Sequence, residues 1–301
     1  MKNLDWEKLA FEFQTTSISI TKIAEREGVS RWTVTDRFKK LGIDIPNKQN
    51  RCKFNNKVFD YIDTEEKAYW LGFIFADGYI SSTPLKEDKK SVYSFELSLQ
   101  LSDIHHLEKF KDFVNYEKEV KSDKYRCRIM FANKHFWTTL NSYGCTPKKS
   151  LTLMFPDVSI FKDINLIRHF IRGYFDGDGC LSRHINSKTV TPAVSILGTK
   201  NFLENVMNYS NTLGNFTHDK RHSEETWTLT YKKEAGINFI NYLYSNCSIY
   251  LDRKYKLFNF FKKGSRSLKE FKELLSDKIG KNPTIEDNSE VISETKESET
   301  P

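Results

Sequence analysis

The chain has 301 residues, 23 of them Phe and 14 Tyr, and a hydrophobic fraction of 38%, enough apolar surface for a sizeable core. No stretch approaches the roughly 20 apolar residues of a membrane span, so a membrane partner is not expected. Net charge is +7, but residues 276–301 carry −4 and residues 1–275 carry +11, a basic body suited to a polyanion such as nucleic acid. Charge alone leaves open an ordinary solvated basic surface.

The five cysteines (Cys52, Cys127, Cys145, Cys180, Cys247) are scattered and form no CxxC pair. That pattern argues against a disulfide framework or a zinc site, and for reduced thiols in a cytoplasmic protein. The opening MKNLDWEKLA is charged and amphipathic and does not read as a signal peptide.

Residues 1–45 read as short helices. Within them SITKIAEREGVSRWTVTDRFKKLGI (19–43) has the pattern of a helix-turn-helix. Ala24 is small where two helices would cross, Gly28 sits in the turn, and Val29, Val34 and Phe38 face the core. Ser30 is expected to cap the second helix. The exposed start of that helix would offer Arg31, Trp32, Thr33, Thr35 and Arg37 to a DNA groove. The segment resembles the helix-turn-helix of resolvases and small regulators; the plainer alternative is a helical cap. Residues 46–59 are polar and basic and read as a linker.

From residue 60 the chain repeats itself at a spacing of about 100 residues. WLGFIFADGYI (70–80) opens one copy and IRGYFDGDGCL (171–181) the other. In the first, VYSFELSLQL (92–101) alternates as a strand, HHLEKFKDFV (105–114) has helical spacing, EVKSDKYRCRIMF (119–131) reads as a hairpin, and KHFWTTLNSYG (134–144) is a helix closed by Gly144. In the second, TVTPAVSIL (189–197) is a strand whose proline suggests a bulge or edge. NFLENVMNYSNTLG (201–214) is a helix with a glycine stop, 215–231 a hairpin, and AGINFINYLYSN (235–246) the closing helix. The repeats span 60–156 and 157–275. The tail 276–301, rich in Ser, Thr, Glu and Asp, reads as disordered and acidic.

The two motif helices carry the chemistry. Asp63 with Glu66 three residues on suggests a capping box for the first; the second starts near Asp163 or Asn165. Both are apolar on nearly all sides and should be buried. Each has two small residues four apart, Gly72 with Ala76 and Gly173 with Gly177, so bare stripes could pack backbone to backbone. Each then ends in Asp–Gly, with glycine as stop. Side by side, such helices would bring Asp77 and Asp178 to one end, where two carboxylates at negative helix termini are unfavourable without a cation. Hard oxygen ligands with open positions suit Mg²⁺. A calcium loop beginning at Asp176 is rejected, because its twelfth position is Ser187 instead of Glu.

WLGFIFADG and IRGYFDGDG resemble the two motifs of LAGLIDADG homing endonucleases in their single-chain, two-motif form. GCTPKKSLTLMFP (144–156) and IYLDRKYKLF (249–258) resemble the segments that follow those motifs. The resemblance implies an α+β fold of two pseudo-symmetric αββαββα halves, here preceded by the small helical domain. It further implies site-specific cleavage of double-stranded DNA by a monomer, with Mg²⁺ or Mn²⁺. The motif-final acids map to Asp77 and Asp178, with Ala76 and Gly177 beside them in the metal set. The earlier motif acid is Asp176 in one copy and Phe75 in the other, so Asp176 is given a structural role. Trp70 and Arg172 stand where the family is usually small or apolar. Lys232 is the leading choice for the assisting basic residue, ahead of Lys134 and Lys200; Asp103 occupies the position matching Thr199. Lys148, Lys149, Arg253 and Lys254 are candidate phosphate contacts, and the strand faces are candidate base readers. The alternatives are a DNA-binding regulator that has lost cleavage and an intron maturase; an intein embedding is not expected.

Overall fold

The computed structural model describes residues 4–16, 18–43, 45, 53–84, 91–147, 149, 152–185, 188–218, 225–264 and 266–272. The expectations for Lys148, for most of the linker and for the acidic tail fall outside these residues. The chain divides into two compact units, residues 1–62 with 77–148 and residues 63–76 with 149–301. Among the described residues no helix is long and apolar enough to cross a membrane.

In the first unit, helices α1 (Trp6–Thr15), α2 (Ile20–Glu27) and α3 (Arg31–Lys40) bury Leu9, Ala10, Ile20, Ile23, Ala24, Val34 and Phe38 against one another. Their starts are fixed by side-chain caps: Asp5, Ser19 and Ser30 accept from the backbone N–H groups of Lys8, Lys22 and Thr33. Helix α2 stops at Gly28, whose φ of 68° is left-handed, and the turn carries the chain into α3 as the helix-turn-helix pattern predicts. The expected linker is shorter than its sequence suggests. Val58 and Phe59 are buried, and Phe54 packs on Phe131 and Phe136, so residues 53–59 belong to the folded unit.

The same unit holds an antiparallel sheet in the order β1-β2-β4-β3: β1 (Gly78–Pro84), β2 (Ser91–Gln100), β3 (Lys121–Ser122) and β4 (Arg126–Ala132). The strands alternate as their sequence predicts. Ile80, Phe95, Leu97, Leu99, Cys127, Ile129 and Phe131 point inward. Helices α5 (Ile104–Phe113) and α6 (Lys134–Ser142) cover that face, with Phe110 and Phe136 against Phe95.

The second unit repeats the order as β5-β6-β8-β7: β5 (Gly179–Ile185), β6 (Thr189–Thr199), β7 (Asn215–His218) and β8 (Thr226–Tyr231). A short β9 (Arg266–Ser267) pairs with the start of β6. Helices α8 (Lys200–Ser210), α9 (Lys233–Tyr244) and α10 (Asp252–Phe261) complete it. Pro192 lies where β6 pairs only with β5, between its stretches with β9 and β8, so the strand is locally an edge there.

Helices α4 (Glu65–Asp77) and α7 (Ile167–Asp178) are the motif helices. Residues 63–76, which hold α4 as far as Ala76, group with 149–301, so the compact units do not follow the repeat boundaries 60–156 and 157–275. Three local expectations are corrected. The cap of α4 is Thr64, whose hydroxyl accepts from Lys67 N at 3.3 Å, while Asp63 instead pairs with the Lys67 ammonium at 2.7 Å. Helix α8 stops at Asn211, left-handed at φ 47°, before Gly214 is reached. Gly179 ends α7 with extended geometry (φ −86°, ψ 152°), so the chain passes from helix straight into strand without a left-handed stop.

Candidate metal centre and nucleic-acid interface

The motif helices approach as closely as their small residues allow. A Cβ on Gly72 would collide with the carbonyl oxygen of Phe170 and stand 2.9 Å from Tyr174 N. One on Gly173 would collide with the carbonyl oxygen of Tyr69 and stand 2.8 Å from Phe73 N. Backbone therefore lies on backbone at these two positions. Residues Ala68 to Phe75 and His169 to Asp176 are buried around the crossing.

The two residues that depart from the family pattern are accommodated by specific partners. Trp70 is buried edge-on to Tyr69 and Phe73. Arg172 is fully buried, and its guanidinium donates to the carbonyls of Ile249 (3.0 Å) and Leu243 (3.1 Å), to His169 Nδ1 (2.6 Å) and to the Glu65 carboxylate (2.7 Å). Glu65 Oε1 also accepts from Ser248 N at 2.7 Å. A buried guanidinium is tolerable only when its donors are satisfied in this way. The pair ties the start of α4 to the middle of α7.

His169 shares this pocket, and burial, followed by the Arg172 charge, pushes its pKa down from 6.5 to about 4. The folded protein therefore binds fewer protons here than the unfolded chain between those values, and the stabilisation, complete above pH 6.5, is lost as pH falls toward 4. The urea midpoint of the wild type is expected to drop across that window. In His169→Gln, which keeps an acceptor but cannot titrate, the drop is shallower; equal slopes in the two proteins would refute the assignment.

Asp176 takes the structural role expected of it. Its carboxylate accepts from Tyr69 Oη (2.7 Å), Tyr244 Oη (2.5 Å) and Leu251 N (2.8 Å) and is buried. Burial nevertheless raises its pKa, with Lys254 the strongest opposing influence.

Lys254 was expected on phosphate and is found elsewhere. Its ammonium is buried and donates to the carbonyls of Phe175 (2.5 Å), Asp176 (2.9 Å) and Gly179. A cation with its donors on the last carbonyls of α7 stabilises the negative helix end and cannot also reach DNA. Lys149 plays the matching part on α4, donating to the Ala76 carbonyl at 3.0 Å, and it is half-buried. That bond uses one lone pair of the oxygen that Ala76 would lend to a metal.

Asp77 and Asp178 close their helices with exposed side chains, each one residue before a strand. Asp178 touches solvent yet is crowded enough for desolvation to raise its carboxyl above the ordinary range, opposed by Lys149 and by a hydrogen bond from Tyr174. Gly177 is half-buried beside it. Among the described residues no cluster of three or more His, Cys, Asp or Glu could hold a metal. The donors at each helix end are carboxylate and backbone oxygens, without sulfur or imidazole, a chemistry that suits a hard cation better than zinc.

Lys232 does not arrive at this helix end. The register aligns Gly179 with Ile196 and Leu229, which sets Asp178 level with Leu197 and Thr228. Lys232 is four residues further along β8, about 13 Å away in an extended strand, and is exposed. Lys200, at the first turn of α8, follows β6 on the Asp178 side and lies over the Trp227 ring at 5.1 Å. Thr199 is spent on structure, capping Phe202 N and donating to the Leu153 carbonyl at 2.5 Å. In the first unit Asp103 accepts from Gln100 Nε2, and Lys134 is exposed at the start of α6.

The outer faces of both sheets are polar, as alternation predicts. Tyr79, Glu96, Ser98, Gln100, Arg126 and Arg128 share one; Ser182, His184, Thr191, Ser195, Thr228 and Thr230 share the other. On α3, Arg31, Trp32 and Arg37 are exposed, with Trp32 74% accessible. Thr33 and Thr35 are half-buried and bonded locally, to Ser30 and to the Arg31 carbonyl. Arg253 is exposed on α10.

Against known proteins, no family model and no curated sequence matches. The chain is similar in structure to LAGLIDADG homing endonucleases. A K262A mutant of I-SmaMI aligns over 72% of this chain and 99% of its own, with 14% identity and a TM-score of 0.49. I-GzeII in complex with its DNA target aligns over 71% and 92%, at 13% and 0.46. I-LtrWI bound to target DNA aligns over 75% and 97%, at 15% and 0.45.

Proposed function

We propose that the chain is a site-specific, divalent-metal-dependent endonuclease of double-stranded DNA. The observation that carries this reading is the backbone-to-backbone packing of α4 and α7 at Gly72 and Gly173, with each helix ending in an aspartate at the edge of a sheet whose outer face is polar. Asp77 and Asp178 would hold Mg²⁺ or Mn²⁺, with the Ala76 and Gly177 carbonyls beside them. When bound, the cation supplies an activated water and stabilises the leaving oxygen of a phosphodiester. Lys149 and Lys254 hold the two helix termini in place and offset their negative ends. Lys200 is the better placed of the lysines to orient water near Asp178.

Both aspartate-bearing helices belong to one chain, which supports action as a monomer. The exposed basic and aromatic start of α3 supports a second DNA contact by the helix-turn-helix, adding mainly affinity and search.

The test is cleavage of a randomised duplex library in Mg²⁺, Mn²⁺, Ca²⁺ or EDTA. Cutting of a defined site only with Mg²⁺ or Mn²⁺ is expected. Tight binding without cutting in any metal would replace this reading with that of a DNA-binding regulator. Binding insensitive to salt between 50 and 200 mM, conditions taken from general protein–DNA behaviour, would remove the electrostatic basis for either.

A further inference from the structure

The two sheets are built to one plan, so their outer faces can be compared position by position. In the first, Gly78 pairs with Leu97 and Leu97 with Ile129; in the second, Gly179 pairs with Ile196 and Ile196 with Leu229. Arg128, opposite Ser98, therefore matches Thr228, opposite Leu197. Arg126, opposite Gln100, matches Thr226, opposite Thr199. Where the first sheet has two arginines and a glutamine, the second has three threonines, of which Thr199 and Thr226 are buried.

Arg126 and Arg128 are exposed and two residues apart on one strand, so they share a face, about 6.8 Å apart. That separation is two steps of a duplex, at about 3.4 Å each along one strand. Lys121 stands opposite Arg128 on β3, and Glu96 lies further along the same face. Asp123, in the β3–β4 turn, accepts from the backbone N–H groups of Tyr125 and Arg126 and lies near both guanidinium charges. Asp123 bonds backbone in these contacts, and the Arg126 and Arg128 side chains stay exposed. A guanidinium fork matches the O6 and N7 acceptors of guanine in the major groove, and a glutamine amide matches adenine. Threonine hydroxyls discriminate between bases far less.

We infer that Arg126 and Arg128 read guanines, so that the target is asymmetric: the half-site under the first sheet has two G·C pairs separated by one base pair, and the half-site under the second sheet lacks that demand. The inference rests on the endonuclease reading for the presence of a duplex in these sheets, but not on cleavage.

The experiment is selection of bound duplexes from a randomised library by the full chain in Ca²⁺, so that loss of cutting cannot obscure the result. The wild type should enrich two guanines two steps apart in one half-site. Arg126→Lys and Arg128→Lys keep the charge and lose the fork; each should cut the preference at one of those positions about tenfold while the salt dependence and the other half-site stay unchanged. Thermal melts confirm that these surface variants fold. If both lysine variants retain the wild-type guanine preference, or if it survives in both alanine variants while affinity falls for all sequences alike, the arginines contact phosphate and the inference fails with the endonuclease reading intact. If the wild type selects no duplex at all, both fall.

Discussion

Asp178→Asn is expected to lower the rate of DNA cleavage by on the order of 10³-fold or more, a loss of about 4 kcal/mol of transition-state stabilisation. Asp77→Asn should do the same for double-strand cutting. The amide is nearly isosteric with the carboxylate, so the packing around α4 and α7 is untouched; what disappears is a negative oxygen for a hard cation. Binding should therefore survive, since removing an anion beside phosphates does not weaken attraction to DNA. Single-turnover cleavage and a parallel gel-shift titration separate the two effects. Near-normal cutting by both variants would show that the helix ends are not the metal site, whatever the fold resembles.

Gly173→Ala is the second large effect, and it strikes stability first. The new methyl group would lie on the Tyr69 carbonyl oxygen of the facing helix, and the obstacle is backbone, which cannot rotate aside as a side chain can. Separating α4 from α7 would also stretch the Glu65–Arg172 pair and the Tyr69–Asp176 hydrogen bond, both of which span 107 residues of sequence. A loss of about 3 kcal/mol or more is expected, toward the upper end for overpacking because a buried charge pair is disturbed with it. For a unit of this size that corresponds to a fall of roughly 6–12 °C in melting temperature. Gly72→Ala should behave similarly, and the double variant should cost less than the sum, because both methyl groups relieve themselves by the same helix separation. A melting temperature within about 2 °C of wild type in both single variants would mean that the helices do not meet at the glycines.

Much of the architecture was legible from local pattern. The alternation in 92–100 places Phe95, Leu97 and Leu99 inward, and the helical spacing in 105–114 buries Leu107 and Phe110, because side-chain direction in a strand or helix follows from position alone. Ser30 and Gly28 mark the helix-turn-helix turn through interactions with backbone only a few residues away. The paired glycines announced close packing because few other residues permit it. Where the competing signals were all local, the sequence left a choice that small energies settle: Thr64 instead of Asp63 as a cap, Asn211 instead of Gly214 as a stop.

The tertiary structure decided the partners of charged groups. Lys254 in LDRKYK looks like a solvent-facing base, and only the approach of α10 to the end of α7 turns its ammonium onto three carbonyls. Lys232 follows a strand of the right composition, but strand register, set by pairing with β6, puts it at the far end from Asp178. The grouping of residues 63–76 with 149–301 likewise lies beyond any repeat analysis. By itself the sequence determined the duplication, the element types and the aspartates that end the two motif helices, because these rest on short-range geometry and on residue types that few structures tolerate. The tertiary structure alone determined which cations serve the helix ends and which remain exposed, because a charge takes its partner from whatever the fold brings near it.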